Sequence, residues 1–202
     1  MHHKLFNKIF CIGMNKTGTS SLHFAFIELG IESIHYTHPE RRGYKSQNEG
    51  AQLIKKQILE CKENGKKLLT YLDEYEAYSD IGQITHNFET LDRQYPGSKF
   101  IYTDRNTEDW LHSRYQHVQR NIKNVSLKLT STNFTEVDLN KWKNQKEKHH
   151  RRVQRYFKNR PQDLLTINIC EGDGYDKLCP FLGLKSMYRS FPRKNVKLSQ
   201  AS

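Results

Sequence analysis

The chain has 202 residues, enough for one α/β domain with a true core and short of two. Hydrophobic residues at 35% and aromatics at 11% argue against a disordered chain, and the longest apolar runs, 9–13 and 164–170, are too short to span a bilayer. The net charge of +11, from 33 Lys and Arg against 22 acids, points to anionic partners: nucleic acid, an anionic membrane surface or a multiply charged small molecule.

Residues 8–14 form a short, continuously apolar run, the pattern of a strand buried on both faces of a parallel sheet. A polar Gly/Thr/Ser turn follows, then Leu22, Ala25, Phe26 and Leu29 recur at helical spacing until Gly30. With a second strand at 31–36 this opening is a βαβ unit. Residues 51–69 read as a helix broken near Asn64-Gly65, and 71–80 as an acidic, aromatic stretch with a short strand ending near Asp80. A helix at 88–95 closes on Pro96-Gly97, a strand follows at 99–103, and Asn106 or Thr107 caps the next helix, which has acids in its first turn. Residues 114–160 are mostly helical and basic, interrupted at 130–135 and ended by Pro161. A strand at 164–170, a short helix around Leu178, Phe181 and Leu182, and a basic irregular tail at 191–202 complete the chain. No repeat or low-complexity linker divides it, so residues 1–202 are expected to form a single domain: a central parallel β-sheet flanked by helices on both faces, with 114–160 as a helical basic insert or lid.

The four cysteines lack disulfide-framework spacing; Cys11 and Cys170 lie in strand-like runs and read as reduced, buried thiols. The adjacent pairs His2-His3 and His149-His150 cannot easily chelate one ion from a helix face, so no metal site is expected. Residues 1–8 lack an apolar leader, which makes a cytoplasmic location the expectation and leaves little weight for the sequons at Asn15, Asn124 and Asn133.

The segment Gly13-Met14-Asn15-Lys16-Thr17-Gly18-Thr19-Ser20-Ser21 joins the end of a strand to the start of a helix. Unpaired amides at a helix start, together with its dipole, make an anion site, and Thr19, Ser20 and Ser21 can add hydroxyl donors. Gly13 and Gly18 have the spacing of the G-x-x-x-x-G-K-[ST] nucleotide triphosphatase loop, and Ser20 stands where its metal-binding hydroxyl belongs. The lysine does not fit: position 19 is Thr, and Lys16 precedes the second glycine. A magnesium-dependent kinase would also need a carboxylate at a strand end, for which Asp80 and Asp104 are the candidates.

A lysine ahead of Thr-Gly-Thr-Ser resembles the 5′-phosphosulfate loop of the sulfotransferase superfamily. The segment 99–105 ending in Arg105, with Trp110 and then Ser113 eight residues beyond the arginine, resembles that family's 3′-phosphate motif. Residues 164–175, 178–183 and 191–195 resemble the end of compact members, with Tyr175 where those usually carry Trp; 114–148 is unmatched. The resemblance implies a P-loop-like sulfotransferase fold and 3′-phosphoadenosine 5′-phosphosulfate as donor, held by Asn15, Lys16, Thr17, Gly18, Thr19, Ser20, Ser21, Arg105 and Ser113. It implies metal-independent, in-line transfer to a hydroxyl or amine of a small-molecule or carbohydrate acceptor, with Lys16 neutralising the leaving phosphate. It also places a general base near the end of the second strand, where His35 is the first candidate and His38 the second. Asp80 is the third, in Tyr78-Ser79-Asp80, which resembles an Asp-x-Pro element with Gly82 in place of the proline. Two other functions stay open: a magnesium-dependent nucleotide kinase or NTPase, and a non-catalytic polyanion-binding module of the same fold. The basic segment 141–160 either covers the site, steers an anionic acceptor, or is a solvated helix face; no nucleic-acid recognition motif accompanies it.

Overall fold

In a computed structural model, which describes residues 5–36, 47–126, 135–185 and 189–193, strand β1 (Ile9–Cys11) is buried along its whole length. Its side chains alternate between two cores, as strand geometry demands: Phe10 and Ile12 face one, Ile9 and Cys11 the other. β1 is central in a five-stranded, all-parallel sheet of order β2-β3-β1-β4-β5, with β2 at Ser33–His35, β3 at Ala77–Ser79, β4 at Lys99–Thr103 and β5 at Leu164–Ile167. This is an α/β fold.

Seven α-helices are described: α1 (Thr19–Glu28), α2 (Gln47–Glu63), α3 (Gly82–His86), α4 (Phe88–Gln94), α5 (Thr107–Ser126), α6 (Leu139–Phe157) and α7 (Tyr175–Leu182). On one face of the sheet Ile54 and Ile58 of α2, Phe88 and Leu91 of α4, and Val153 and Phe157 of α6 close over Phe10, Tyr78, Phe100 and Tyr102. On the other, Leu22, Ala25 and Phe26 of α1 and Leu178, Cys179 and Leu182 of α7 close over Cys11, Ala77 and Ile101. A third cluster, Trp110, Leu111 and Val118 with Trp142, joins α5 to α6 beside Met14.

Helix α6 is therefore a wall of the core. Trp142, Lys146, His149, Val153 and Phe157 recur at helical spacing and are all buried, while the remaining cations face outward. The basic segment thus combines a core-packing stripe with a charged outer face.

Two boundaries differ from the sequence expectation. The helix over 51–69 ends at Glu63, and Gly65, at φ 65°, turns the chain so that Leu68 and Leu69 enter the core from a turn. The strand over 164–170 stops at Ile167, because the Asn168 side chain accepts a hydrogen bond from the Glu171 amide and opens a 3₁₀ turn at Ile169–Glu171. Cys170 rides on that turn and is exposed, contrary to its reading as a buried thiol.

All five parallel strands end on the same edge. The chain reverses direction across the sheet next to β1, whose neighbours are β3 and β4, and a crevice at such a switch point is where open α/β sheets bind ligands.

Candidate active site

The loop after β1 is shaped by close approach to β4. A Cβ on Gly13 would lie 2.0 Å from Thr103 Oγ1 and 2.4 Å from its carbonyl oxygen, so only glycine fits. Thr17 turns its side chain inward, donating to the Met14 carbonyl and lying 2.7 Å from Thr103 Oγ1. Its hydroxyl braces the loop, so its contribution to an anion would come from its amide. Lys16 (φ 67°) and Gly18 (φ 96°) both take left-handed backbone, curling the loop into a concave run of amides. The first hydrogen bond of α1 runs from Leu22 N to Gly18 O (3.0 Å), and Gly18 as N-cap supplies no side-chain acceptor to the amides ahead of it.

Helix α5 and the turn that leads into it hold this loop. The buried Trp110 indole donates to Asn15 O (2.8 Å), Arg114 Nη1 to Asn15 Oδ1 (2.9 Å) and Arg105 Nη1 to Lys16 O (3.3 Å). Arg114 lies against two rings, 5.4 Å from that of Trp110 and 4.7 Å from that of Trp142 on α6. Burial draws its pKa down to about 10. Arg105 Nε is buried with no acceptor among the described residues, a fixed donor that an anion's oxygen would satisfy. Ser113 lies half-buried two turns into α5, one residue ahead of Arg114.

The charge around the loop is strongly positive. The Lys16 ammonium is held below its usual pKa by burial and by Arg120 and Arg105, with Asp80 acting the other way. His117 is driven down to about 4 by burial, Lys16, Arg120 and Arg114, so it stays neutral near pH 7. Asp104 does not offset this charge, because the buried Lys146 ammonium already pairs with it at 2.9 Å. His149 Nε2 donates to the Ile12 carbonyl (2.7 Å), tying α6 to the root of the loop.

On the far side of the loop His35 ends β2. Its Nε2 lies 3.2 Å from Thr19 Oγ1, 3.3 Å from Ser20 Oγ and 3.7 Å from Asp80 Oδ2. Asp80 follows β3 in left-handed backbone (φ 56°), which swings its carboxyl toward His35. Burial pushes that carboxyl up to about 7, against the pull of Lys16. Between about pH 4 and 7 the folded chain then holds a proton at Asp80 that the unfolded chain has released, so stability falls as pH rises through that window. Asp80→Asn, which carries no ionisable carboxyl, is expected to raise Tm at pH 8 and to leave it nearly unchanged at pH 4. A scan showing equal shifts at both pH values would contradict the burial of a charge there.

The residues named from sequence thus gather at the carboxyl edge: Asn15 to Ser20, His35, Asp80 and Arg105 are linked by the contacts above, Ser21 is buried in the first turn of α1, and Ser113 stands on the helix that clamps the loop. His38 lies outside the described residues. The sulfotransferase domain model aligns to residues 8–140 and 120–199, nearly the whole chain. The chain belongs to the sulfotransferase family. No curated protein matches it.

Sequence reading of this sulfotransferase missed Arg114, His117 and Arg120, which with Trp110 and Ser113 recur along α5 at three- and four-residue intervals. That spacing is the signal that one helix face overlooks the loop. It also missed Lys146 and His149, whose partners lie 42 and 137 residues away in the chain. Among the described residues no helix is long and apolar enough to cross a membrane.

Proposed function

We propose that the protein transfers a sulfuryl group from 3′-phosphoadenosine 5′-phosphosulfate to an acceptor hydroxyl or amine, in line and with no metal required. The observation that carries this reading is the cationic ring of Lys16, Arg105, Arg114 and Arg120 around a concave amide loop, with the buried Arg105 Nε lacking an acceptor among the described residues. That ring suits a ligand bearing more than one phosphate, and guanidinium forks match phosphate oxygens. The donor, when bound, supplies the sulfuryl group and a bisphosphate leaving group. The amides of residues 15–21 and the hydroxyls of Thr19 and Ser20 would hold the 5′-phosphate, and Arg105 with Ser113 the 3′-phosphate. Lys16 would neutralise charge developing on the bridging oxygen, a preorganised stabilisation of the kind worth several kcal/mol in such sites.

His35 is our first choice of base. With Nε2 facing Thr19, Ser20 and Asp80, it can take the acceptor's proton and be held as imidazolium beside the carboxylate. Asp80, with its pKa near 7, is the second choice. Loss of the acidic limb of the pH–rate profile in His35→Ala but not in Asp80→Ala would assign the role to His35; the opposite pattern assigns it to Asp80. A magnesium-dependent kinase is the weaker reading, since Asp104 is taken by Lys146 and Asp80 is pushed toward its neutral form.

Calorimetric titration separates the two. Adenosine 3′,5′-bisphosphate is expected to bind without magnesium and more tightly than ATP with it. Arg105→Met is expected to weaken the bisphosphate by about 10- to 100-fold, the loss of charge-assisted hydrogen bonds worth about 1.5–3 kcal/mol. Tighter, magnesium-dependent ATP binding would overturn the proposal. We also propose that residues 1–202 act as one domain, since both cores are built on one sheet. A reducing, cytosolic setting suits its four free thiols, Cys11, Cys61, Cys170 and Cys179.

A further inference from the structure

Three residues of the buried stripe of α6, Trp142, Lys146 and His149, meet the carboxyl edge of the sheet at i, i+4 and i+7. The Trp142 ring lies 4.7 Å from the guanidinium of Arg114, which holds the Asn15 side chain, and His149 donates to the Ile12 carbonyl. Between them Lys146 turns inward with only 8% of its side chain exposed. Its ammonium donates to Asp104 Oδ1 at 2.9 Å and lies 3.4 Å from Thr107 Oγ1. Trp142 and His149 pack and brace. Lys146 differs in kind, because burying an ammonium is costly and a buried ion pair is often no more stabilising than apolar side chains of the same volume. Stability alone therefore does not account for a lysine at this position.

Its partner supplies the reason. Asp104 stands between Thr103, whose hydroxyl lies 2.7 Å from that of Thr17, and Arg105, whose Nη1 donates to the Lys16 carbonyl. Thr103 and Arg105 thus reach the loop on one side of the chain while Asp104 turns to α6 on the other, the alternation of an extended strand. The Asp104 amide donates to the Ile167 carbonyl (2.9 Å), which fixes its backbone at the strand end. Its carboxylate is therefore held one residue from the guanidinium proposed to receive a phosphate, and its side chain is 30% exposed. Neighbouring Cα atoms are about 3.8 Å apart, well inside the roughly 8 Å over which charges act at physiological salt. Unpaired, this carboxylate would oppose any anion arriving at Arg105. Paired with Lys146, it is neutralised.

We propose that Lys146 is a positioning residue that withholds the Asp104 carboxylate from the phosphate site, and so sets how tightly that site takes a phosphorylated ligand. The inference rests on the donor reading above. A mechanical brace and a charge screen differ in one respect. A brace fails alike whichever partner is lost. A screen gives opposite results: loss of the lysine exposes a carboxylate to the site, whereas loss of the carboxylate leaves an extra cation beside it.

Calorimetric titration of the full chain and three variants with adenosine 3′,5′-bisphosphate, at low salt and without magnesium, tells the two apart. Lys146→Gln, whose amide can still donate to Asp104, is expected to weaken the bisphosphate about 10- to 30-fold, the effect of one uncompensated charge near an anion. Asp104→Asn is expected to bind it as tightly as wild type or up to about threefold more tightly, even though its unpaired buried ammonium lowers Tm. The double variant of Lys146→Gln and Asp104→Asn carries neither charge and should return to within about threefold of wild type. Comparable weakening in the two single variants makes the pair a brace and overturns the proposal. A double variant as weak as Lys146→Gln, or wild-type affinity in Lys146→Gln, overturns it too. If Lys146→Gln does not fold, Asp104→Asn decides: affinity at or above that of wild type supports the screen, and a loss of about tenfold or more overturns it. Failure of the bisphosphate to bind wild type would overturn the donor reading itself, and the proposal with it.

Discussion

Lys16→Ala is expected to lower turnover by about 100- to 1,000-fold, the effect of removing one preorganised group that meets developing charge, while adenosine 3′,5′-bisphosphate still binds. The split between binding and turnover follows from where the charges lie. The bisphosphate would keep the loop amides, Arg105 and the cations of α5, whereas in the proposed transfer the breaking bond would lose the Lys16 ammonium. Burial and the surrounding guanidiniums already destabilise the Lys16 charge, so an arriving anion gains more from it than from a solvated lysine. Lys16→Gly is the informative companion, because glycine accepts φ 67° without strain. A Gly variant that is at least as stable as wild type, binds the bisphosphate and does not turn over isolates the ammonium. Near-normal turnover in either variant would remove Lys16 from the chemistry.

Trp110→Ala is expected to cost about 3–5 kcal/mol of folding stability, a large share of the roughly 5–15 kcal/mol that a domain has in total. The indole is fully buried between α5 and α6, where it packs with Leu111, Val118 and Trp142. Its N–H also satisfies the Asn15 carbonyl, and its ring supports the guanidinium that holds the Asn15 side chain. Trp110→Phe keeps most of the packing and deletes the hydrogen bond, leaving an acceptor unpaired at a cost of about 1–3 kcal/mol. Urea unfolding measures both losses, and titration with the bisphosphate reads the loop. If Trp110→Phe binds the bisphosphate as wild type does, the indole is a packing residue alone.

Much of the fold is legible in the sequence because its signals are local. The unbroken apolar run at β1 marks a strand buried on both faces, and Pro161, Gly30 and Gly65 punctuate the helices where the chain turns. Gly13 and Gly18 announce the loop, and Arg105 stands at a strand end that the pattern of 99–103 defines to the residue. The clamp on that loop is not legible in this way. Asn15 meets Trp110 and Arg114 across 95 and 99 residues, and His149 meets Ile12 across 137, so no window of sequence contains both partners. The inward turn of the Thr17 hydroxyl is equally hidden, because its partner Thr103 lies 86 residues away. Cys170 was misread because the apolar run continues past the point where Asn168 ends the strand.

Among the described residues three non-glycines hold left-handed backbone, Lys16, Tyr36 and Asp80, and all three follow strand ends at the carboxyl edge. Each conformation of this kind costs on the order of 1–3 kcal/mol, least for Asp. Their concentration there means that tolerance to heat and competence in the crevice draw on the same few peptide units. Laboratory selection for hardiness alone would find its easiest gains by relaxing positions 16, 36 and 80 toward glycine, and would erode the crevice as it did so. A hardier variant that keeps its activity would therefore have to be sought in helix caps and loops away from that edge.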